Sequence, residues 1–346
     1  MVSQLREGSP EPQGNMLFAL NKWVCETKEF LVAVINGVLG PLNTADLGFT
    51  LMHEHIYVGI CSMRAAFPDW LDQEALIERA VRQVMRAKKY GVRTIVESTP
   101  CNLGREIEII RAVAQRSGVN FIAATGLFWT EEPWLRFWET ERIVGWLRRD
   151  IEEGIQGGPC KAGVIKCATD HPGITETNKK LLQVAARLHR ETGVPISTHT
   201  TAKNRSALQQ QDVLEAEGVD LRRVLIGHCG DCEDIAYLEQ ILSRGSIIGM
   251  DRFGADHVLD FERRVAVVAE LCKRGWASQM VLSQDYASRL DWFTDQEITR
   301  MAPNWSYHLI LERVIPALKL AGVNERQICQ MTVLTPRTFF EQQDVY

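Results

Sequence analysis

Along the chain, apolar and polar positions settle from residue 47 into one repeated unit: a short apolar run, a loop, then an amphipathic stretch several helical turns long. The apolar runs are LGFTLMHEHI (47–56), VRTIVEST (92–99), VNFIAATGLF (119–128), AGVIKCAT (162–169), VPISTHT (194–200), RVLIGHC (223–229), SIIGMD (246–251) and QMVLSQD (279–285). Each is short, mostly apolar and rich in β-branched residues, as expected of a strand buried on both faces. Between the runs the period changes to that of a helix. Asp72 to Tyr90 carries Leu76, Ile77, Ala80, Val84 and Met85 on one face and stops at Gly91. The patterns 105–117, 178–192 and 261–274 stop in the same way at Gly118, Gly193 and Gly275, and a glycine just past a helix ends it cheaply in the left-handed conformation. Strand plus helix repeated around a parallel sheet predicts a closed (β/α)8 barrel. An open doubly wound sheet is the competing architecture, but no G-x-G-x-x-G follows a strand, and eight units suit closure.

In such barrels the chemistry sits at the C-terminal ends of the strands. Here those ends carry His53-Glu54-His55, Lys166, His199, His228 and Asp285. His53 and His55 are two apart, so on a strand both face the same way. Any one of these histidines taken singly reads more readily as a hydrogen-bonded core residue than as a ligand; five strand ends bearing His, Lys or Asp at one mouth do not. Four imidazoles and a carboxylate exceed the three protein ligands of a single catalytic zinc, whereas two cations ~3.5–4 Å apart would use them all. Lys166 is the candidate bridge. Burial can strip its proton, and a neutral amine can take up carbon dioxide as a carbamate with two oxygens. Two other readings of Lys166 stand beside this one: a salt bridge to Asp285 or Glu54, and a Schiff-base lysine in a metal-free lyase.

Composition narrows the class. The chain has 346 residues, 45% of them hydrophobic and 24% charged, with a formal net charge of −5. These are globular averages, and the charge offers no footprint for nucleic acid or an anionic membrane. Length admits one barrel of ~250 residues with additions. We expect an extension of unknown role over residues 1–30 and a single domain over 31–346, with 31–46 as a cap at the start of the barrel and trailing helices after 326. Met16 to Leu20 is too short for a signal core, and no apolar run reaches the ~18 residues of a membrane span. Nine scattered cysteines point to reduced thiols and a cytoplasmic setting. Cys229-Gly230-Asp231-Cys232 matches C-x-x-C but lacks a second half for a four-ligand zinc site.

The strings TLMHEHI, VIKCATD, ISTHT, IGHCGD, GMDRFG and VLSQD, in this order, closely resemble the phosphotriesterase family of the amidohydrolase superfamily. Their flanks look most like the phosphotriesterase-like lactonases. The likeness covers about residues 32–342. It implies a carboxylated Lys166 bridging two divalent transition metals, with zinc first and cobalt, manganese or iron as alternatives. It places His53, His55 and Asp285 on the more buried metal, and His199 and His228 on the more exposed one. A hydroxide bridging both would be the nucleophile, and Asp285 would carry its proton to the leaving group.

The resemblance also implies a lactone or ester substrate, with promiscuous esterase and organophosphate hydrolase activity, and a homodimer. A phosphotriesterase or another ester or amide hydrolase of the same family is the alternative. Arg252 stands where the organophosphate-degrading members have a histidine relay, and the Asp-Arg-aromatic-Gly string is similar to the lactonase branch. Phe128 departs from the tyrosine many such lactonases carry, and Gln284 from the usual histidine before the ligand aspartate. Phe128, Trp129, Arg252 and Trp292 are the candidate substrate-binding residues. Arg252 is expected either to border the pocket or to pair with Asp256. Trp138 and Trp146 are expected to pack their helix onto the barrel. His171, His189, His257 and His308 are read as structural.

Overall fold

The computed structural model describes residues 32–341 and 344–346; the extension expected over residues 1–30 lies outside them. Strands β1 (Val34–Gly37) and β2 (Gly40–Asn43) form an antiparallel hairpin. The barrel follows: β3 (Thr50–Val58), β4 (Thr94–Glu97), β5 (Asn120–Gly126), β6 (Ala162–Ala168), β7 (Ile196–His199), β8 (Val224–Ile226), β9 (Ile247–Met250), β10 (Met280–Leu282) and β11 (Ala287–Leu290). Neighbouring barrel strands are parallel, in the order β10-β9-β8-β7-β6-β5-β4-β3-β11. Since β10 and β11 are successive pieces of one stretch, β10 pairing β9 and β11 pairing β3 bring the sheet round on itself. The protein is thus the (β/α)8 barrel that the periodicity predicts, with its eighth strand split at 283–286.

The helical patterns fold as read, except that Met85 is exposed and the buried stripe of its helix ends at Ala87 instead. Gln73–Tyr90 is capped by the Asp72 side chain and ends at Gly91 with φ +117°, and Glu176–Thr192 is capped by Thr175 and ends at Gly193. At the bottom of the barrel the hairpin and the carboxy-terminal helix fill the end of the core. Ile35, Leu47, Phe339 and Phe340 pack there against Met52, Val96, Ile122, Val164, Leu225 and Val281 from the strands. Asn36 ties the hairpin to the barrel by donating to the carbonyls of Ile151 and Ala162. With this end plugged by apolar side chains, the polar strand ends are left for the opposite mouth.

Trp146 departs from expectation. It is 55% exposed, because the buried stripe of helix Thr140–Glu152 runs through Ile143, Val144, Leu147 and Ile151 and position 146 points away from it. Among the described residues no helix is long and apolar enough to cross a membrane.

Candidate metal centre and active site

Strand alternation turns His53 and His55 into the barrel mouth, where Lys166 from β6, His199 from β7, His228 after β8 and Asp285 after β10 meet them around one cavity. Lys166 Nζ lies 2.8 Å from His53 Nε2, His55 Nε2 lies 3.0 Å from Asp285 Oδ1, and His199 Nδ1 lies 2.9 Å from His228 Nε2. Ligand atoms of His53, His228 and Asp285 all fall within 4.8 Å of one another. His228 and Asp285 have φ of +62° and +55°, a left-handed conformation that costs a non-glycine residue of order 1 kcal/mol or more and persists only where the surroundings impose it.

The outward nitrogens of the four rings determine what the inward ones can do. His53 Nδ1 and His228 Nδ1 each lie 3.0 Å from one carboxylate, that of Asp251. His199 Nε2 lies 2.8 Å from Asp170 Oδ2, and His55 Nδ1 lies 2.8 Å from Thr99 Oγ1, which donates onward to Glu97. A neutral imidazole has one N–H, and next to a carboxylate that N–H points outward. The inward nitrogens of His199 and His228 are then two lone pairs facing each other at 2.9 Å, an arrangement that a shared cation satisfies and a protein donor does not. Hydrogen bonds from outer ring nitrogens to carboxylates are also the usual support of metal-ligating histidines. The donor set therefore fits divalent cations.

The electrostatics agree. Burial holds the His53 imidazole down at about 4, with Lys166 adding to the effect, and burial likewise lowers His199 and pushes His228 well below its ordinary value. These rings are neutral and free to ligate. Burial brings Lys166 down to about 8, although Asp285 and Asp251 pull it back up. Burial would raise Asp285, but His53, His228, His55 and Arg252 together hold it well below the ordinary carboxylate range. Lys166 thus faces His53, and neither Asp285 nor Glu54 is its salt-bridge partner.

The cavity is about 270 Å³ and its walls are mainly apolar, including Phe128, Trp292, Phe293 and Val258. Asn102 holds Phe128 in place: its amide donates to the Phe128 carbonyl, and its Oδ1 accepts from the Phe128 N–H at 2.6 Å. The Phe128 ring meets the edge of His199 with centroids 5.1 Å apart. Trp129 is not among the residues lining the cavity; it packs against the cluster of Val58, Leu103, Phe128, Ala168 and Ala287. Arg252 borders the pocket and pairs with Asp285 and Asp231 at 3.0 Å each, not with Asp256. Asp231 also meets the buried Arg264 at 2.8 Å. His257, read as structural, stands at the rim of the cavity, while His189 is spent on the Val194 carbonyl and the Tyr346 hydroxyl. Cys229 and Cys232 are free thiols.

Asp251, Asp170, Thr99 and Glu97 are the supporting residues that strand-end reading overlooks. Asp251 closes the run SIIGMD just as Asp285 closes the next, so its signal was present. Its carboxylate fits only because position 249 is glycine: a Cβ there would lie 2.3 Å from Asp251 Oδ2.

A (β/α)8 barrel whose mouth gathers donors suited to divalent cations is the architecture of a metal-dependent enzyme. Residues 33–340 match the phosphotriesterase family profile. The chain is 42% identical over 322 residues to a phosphotriesterase homology protein of Mycobacterium tuberculosis, covering 90% of this chain and 99% of that protein. It is 39% identical over 303 residues to an aryldialkylphosphatase of Saccharolobus solfataricus, covering 86% and 96%. The solved phosphotriesterase of M. tuberculosis superposes with a TM-score of 0.88, covering 91% of this chain and 100% of that one. The chain belongs to the phosphotriesterase family.

Proposed function

We propose that this family member is a binuclear lactonase acting on carbon-rich lactones, with side activity on aryl esters and organophosphates. The observation that carries the reading is the set of three imidazoles, His53, His199 and His228, whose lone pairs are turned inward by outer hydrogen bonds to Asp251 and Asp170, with His55 beside them against Asp285. His53, His55 and Asp285 would hold one divalent cation, and His199 and His228 the second. Lys166 would lie between them as a carbamate, formed when its neutral amine bonds to carbon dioxide and releases one proton. Zinc is the first metal to test. Two such cations, when bound, polarise an acyl or phosphoryl oxygen and lower the pKa of a coordinated water from 15.7 to about 7.

The protein's own groups do the rest. Asp285 lines the mouth and receives a proton from the water that attacks the ester carbon; it then gives that proton to the alkoxide that leaves as the acyl C–O bond breaks. Arg252 Nε, 3.0 Å from Asp285 Oδ2, fixes the plane of that carboxylate. Phe128, Trp292, Phe293 and Val258 shield the reacting bond from bulk water and accept an acyl chain. That apolar lining supports a lactone with a hydrocarbon substituent over a small polar ester.

The test is kcat/KM side by side for a long-chain acyl-homoserine lactone, an unsubstituted γ- or δ-lactone and paraoxon. The proposal expects the lactones to lead. Paraoxon leading by tenfold would make the phosphotriesterase alternative correct. Full activity with well under one equivalent of metal, together with borohydride trapping at Lys166, would replace both with the Schiff-base lyase.

A further inference from the structure

One residue of the His53-Glu54-His55 string has no part in ligation. Alternation along β3 sends Glu54 away from the mouth, into the layer between sheet and helices, where it is fully buried. Among the described residues no cation pairs with it there. Its carboxylate is taken up by the gap in the eighth strand. Oε1 accepts from Ser283 Oγ at 2.7 Å and from the Gln284 N–H at 3.1 Å, and Oε2 accepts from the Tyr286 N–H at 2.8 Å. Between those two amides lies Asp285, whose own N–H goes to the His53 carbonyl at 3.1 Å. Ser283 Oγ closes the loop by accepting from the His53 N–H at 3.0 Å.

These bonds occupy the place where the barrel ladder is interrupted. β10 pairs only with β9, and pairing with β3 begins at Ala287 opposite His55. Over 283–286 the seam is held by the Glu54 side chain together with the β3 main chain at His53 and His55. In that same interval Asp285 adopts φ +55°, a conformation which a non-glycine residue keeps only under external constraint. A regular strand at this point would carry Asp285 in extended backbone instead.

We propose that Glu54 is a positioning residue for Asp285: by binding the amides on both sides of it, Glu54 imposes the left-handed turn that aims the Asp285 carboxylate at His53, His55 and His228. The inference rests on the reading of Asp285 as ligand and proton carrier. It assigns the middle residue of the string a task distinct from that of its two neighbours.

The test is Glu54→Gln, which keeps the shape but replaces one acceptor oxygen with an NH2 that faces either Gln284 N–H or Tyr286 N–H, donor against donor. Metal-free protein is titrated with Zn²⁺ against a competing chelator, backbone amide exchange is followed at 284–286, and kcat and KM are measured separately. The expected results are faster exchange at 284–286, a ~10–100-fold loss of affinity at one of the two zinc sites, as when support of a ligand is removed, and a fall in kcat with KM unchanged. Ser283→Ala, which removes one arm of the clamp, gives a smaller change in the same direction and serves if Glu54→Gln does not fold.

Wild-type exchange, zinc affinity and kcat in a folded variant would overturn the proposal. So would a uniform drop in thermal stability with both zinc affinities intact, since Glu54 would then be a packing residue. If wild-type protein binds no zinc at all, the metal reading has failed. Exchange at 284–286 would then still report whether Glu54 holds the turn.

Discussion

Replacing Asp251 by Asn tests the metal reading at a residue that touches no metal. Asp251 is fully buried and accepts three N–H groups: His53 Nδ1 at 3.0 Å, His228 Nδ1 at 3.0 Å and the His228 main chain at 2.8 Å. Burial would raise its pKa, but the hydrogen bond and charge of His53, with Arg252 and the His228 N–H, hold it below the ordinary value. It is therefore an anion at every pH of interest and an acceptor on both oxygens. Asparagine has one acceptor. If its oxygen stays on His228, where two donors converge, its NH2 faces His53 Nδ1. That ring must then move its proton to Nε2, and the lone pair that pointed into the mouth is gone.

The magnitude follows from the loss of one outer hydrogen bond to a ligating histidine, ~10–100-fold in metal affinity, or about 1.4–2.8 kcal/mol. The loss should fall on the site His53 serves. Metal-free wild type and Asp251→Asn are titrated with Zn²⁺ against a chromophoric chelator, and the two dissociation constants are compared. One should weaken by the stated factor and the other by less. Two sites of wild-type affinity in the variant would falsify the tautomer argument for His53.

Further outcomes follow from the same geometry. Gly249→Ala places a Cβ 2.3 Å from Asp251 Oδ2, so it should reproduce the Asp251→Asn defect with the carboxylate still present; unchanged zinc binding would show that Asp251 can move freely. Lys166→Ala should lose turnover and one or both metals, and regain part of each with added short carboxylates; no rescue would count against the carbamate. Because burial sets the Lys166 amine at about 8, its neutral fraction rises from ~1% at pH 6 to about half at pH 8. At fixed dissolved carbon dioxide, reactivation of metal-free protein should accelerate nearly tenfold per pH unit up to about 8 and then level off; a pH-independent rate would refute it. Trp292→Ala should lower kcat/KM for long-chain lactones more than for unsubstituted ones, and an equal loss for both would remove Trp292 from the acyl-binding wall.

Much of this was legible in the chain because a barrel maps sequence onto position in a simple way. A strand buried on both faces must be apolar until its end, so a polar residue at the end of such a run is already a residue at the mouth. That logic finds His53, His55, Lys166, His199, His228 and Asp285 without any knowledge of neighbours. It also contains the correct answer for Trp146: the apolar stripe through Ile143, Leu147 and Ile151 has a helical period that leaves position 146 outside it.

Pairwise geometry between strands is a different kind of information, and periodicity does not carry it. Asp251 ends its strand like a ligand, and only the approach of His53 from β3 and His228 from after β8 makes it the support of two rings. Glu54 looks like a spacer between two histidines, because nothing in TLMHEHI says that the eighth strand breaks opposite it. The break in turn is invisible in QMVLSQD: Met280 to Leu282 reads as strand and is strand, yet the pairing partner changes from β9 to β3 within the next five residues. Residues that gather at the mouth were thus found by type and position along the chain. Residues that hold them in place act through donors and acceptors from distant segments, and those appear only once the barrel has closed.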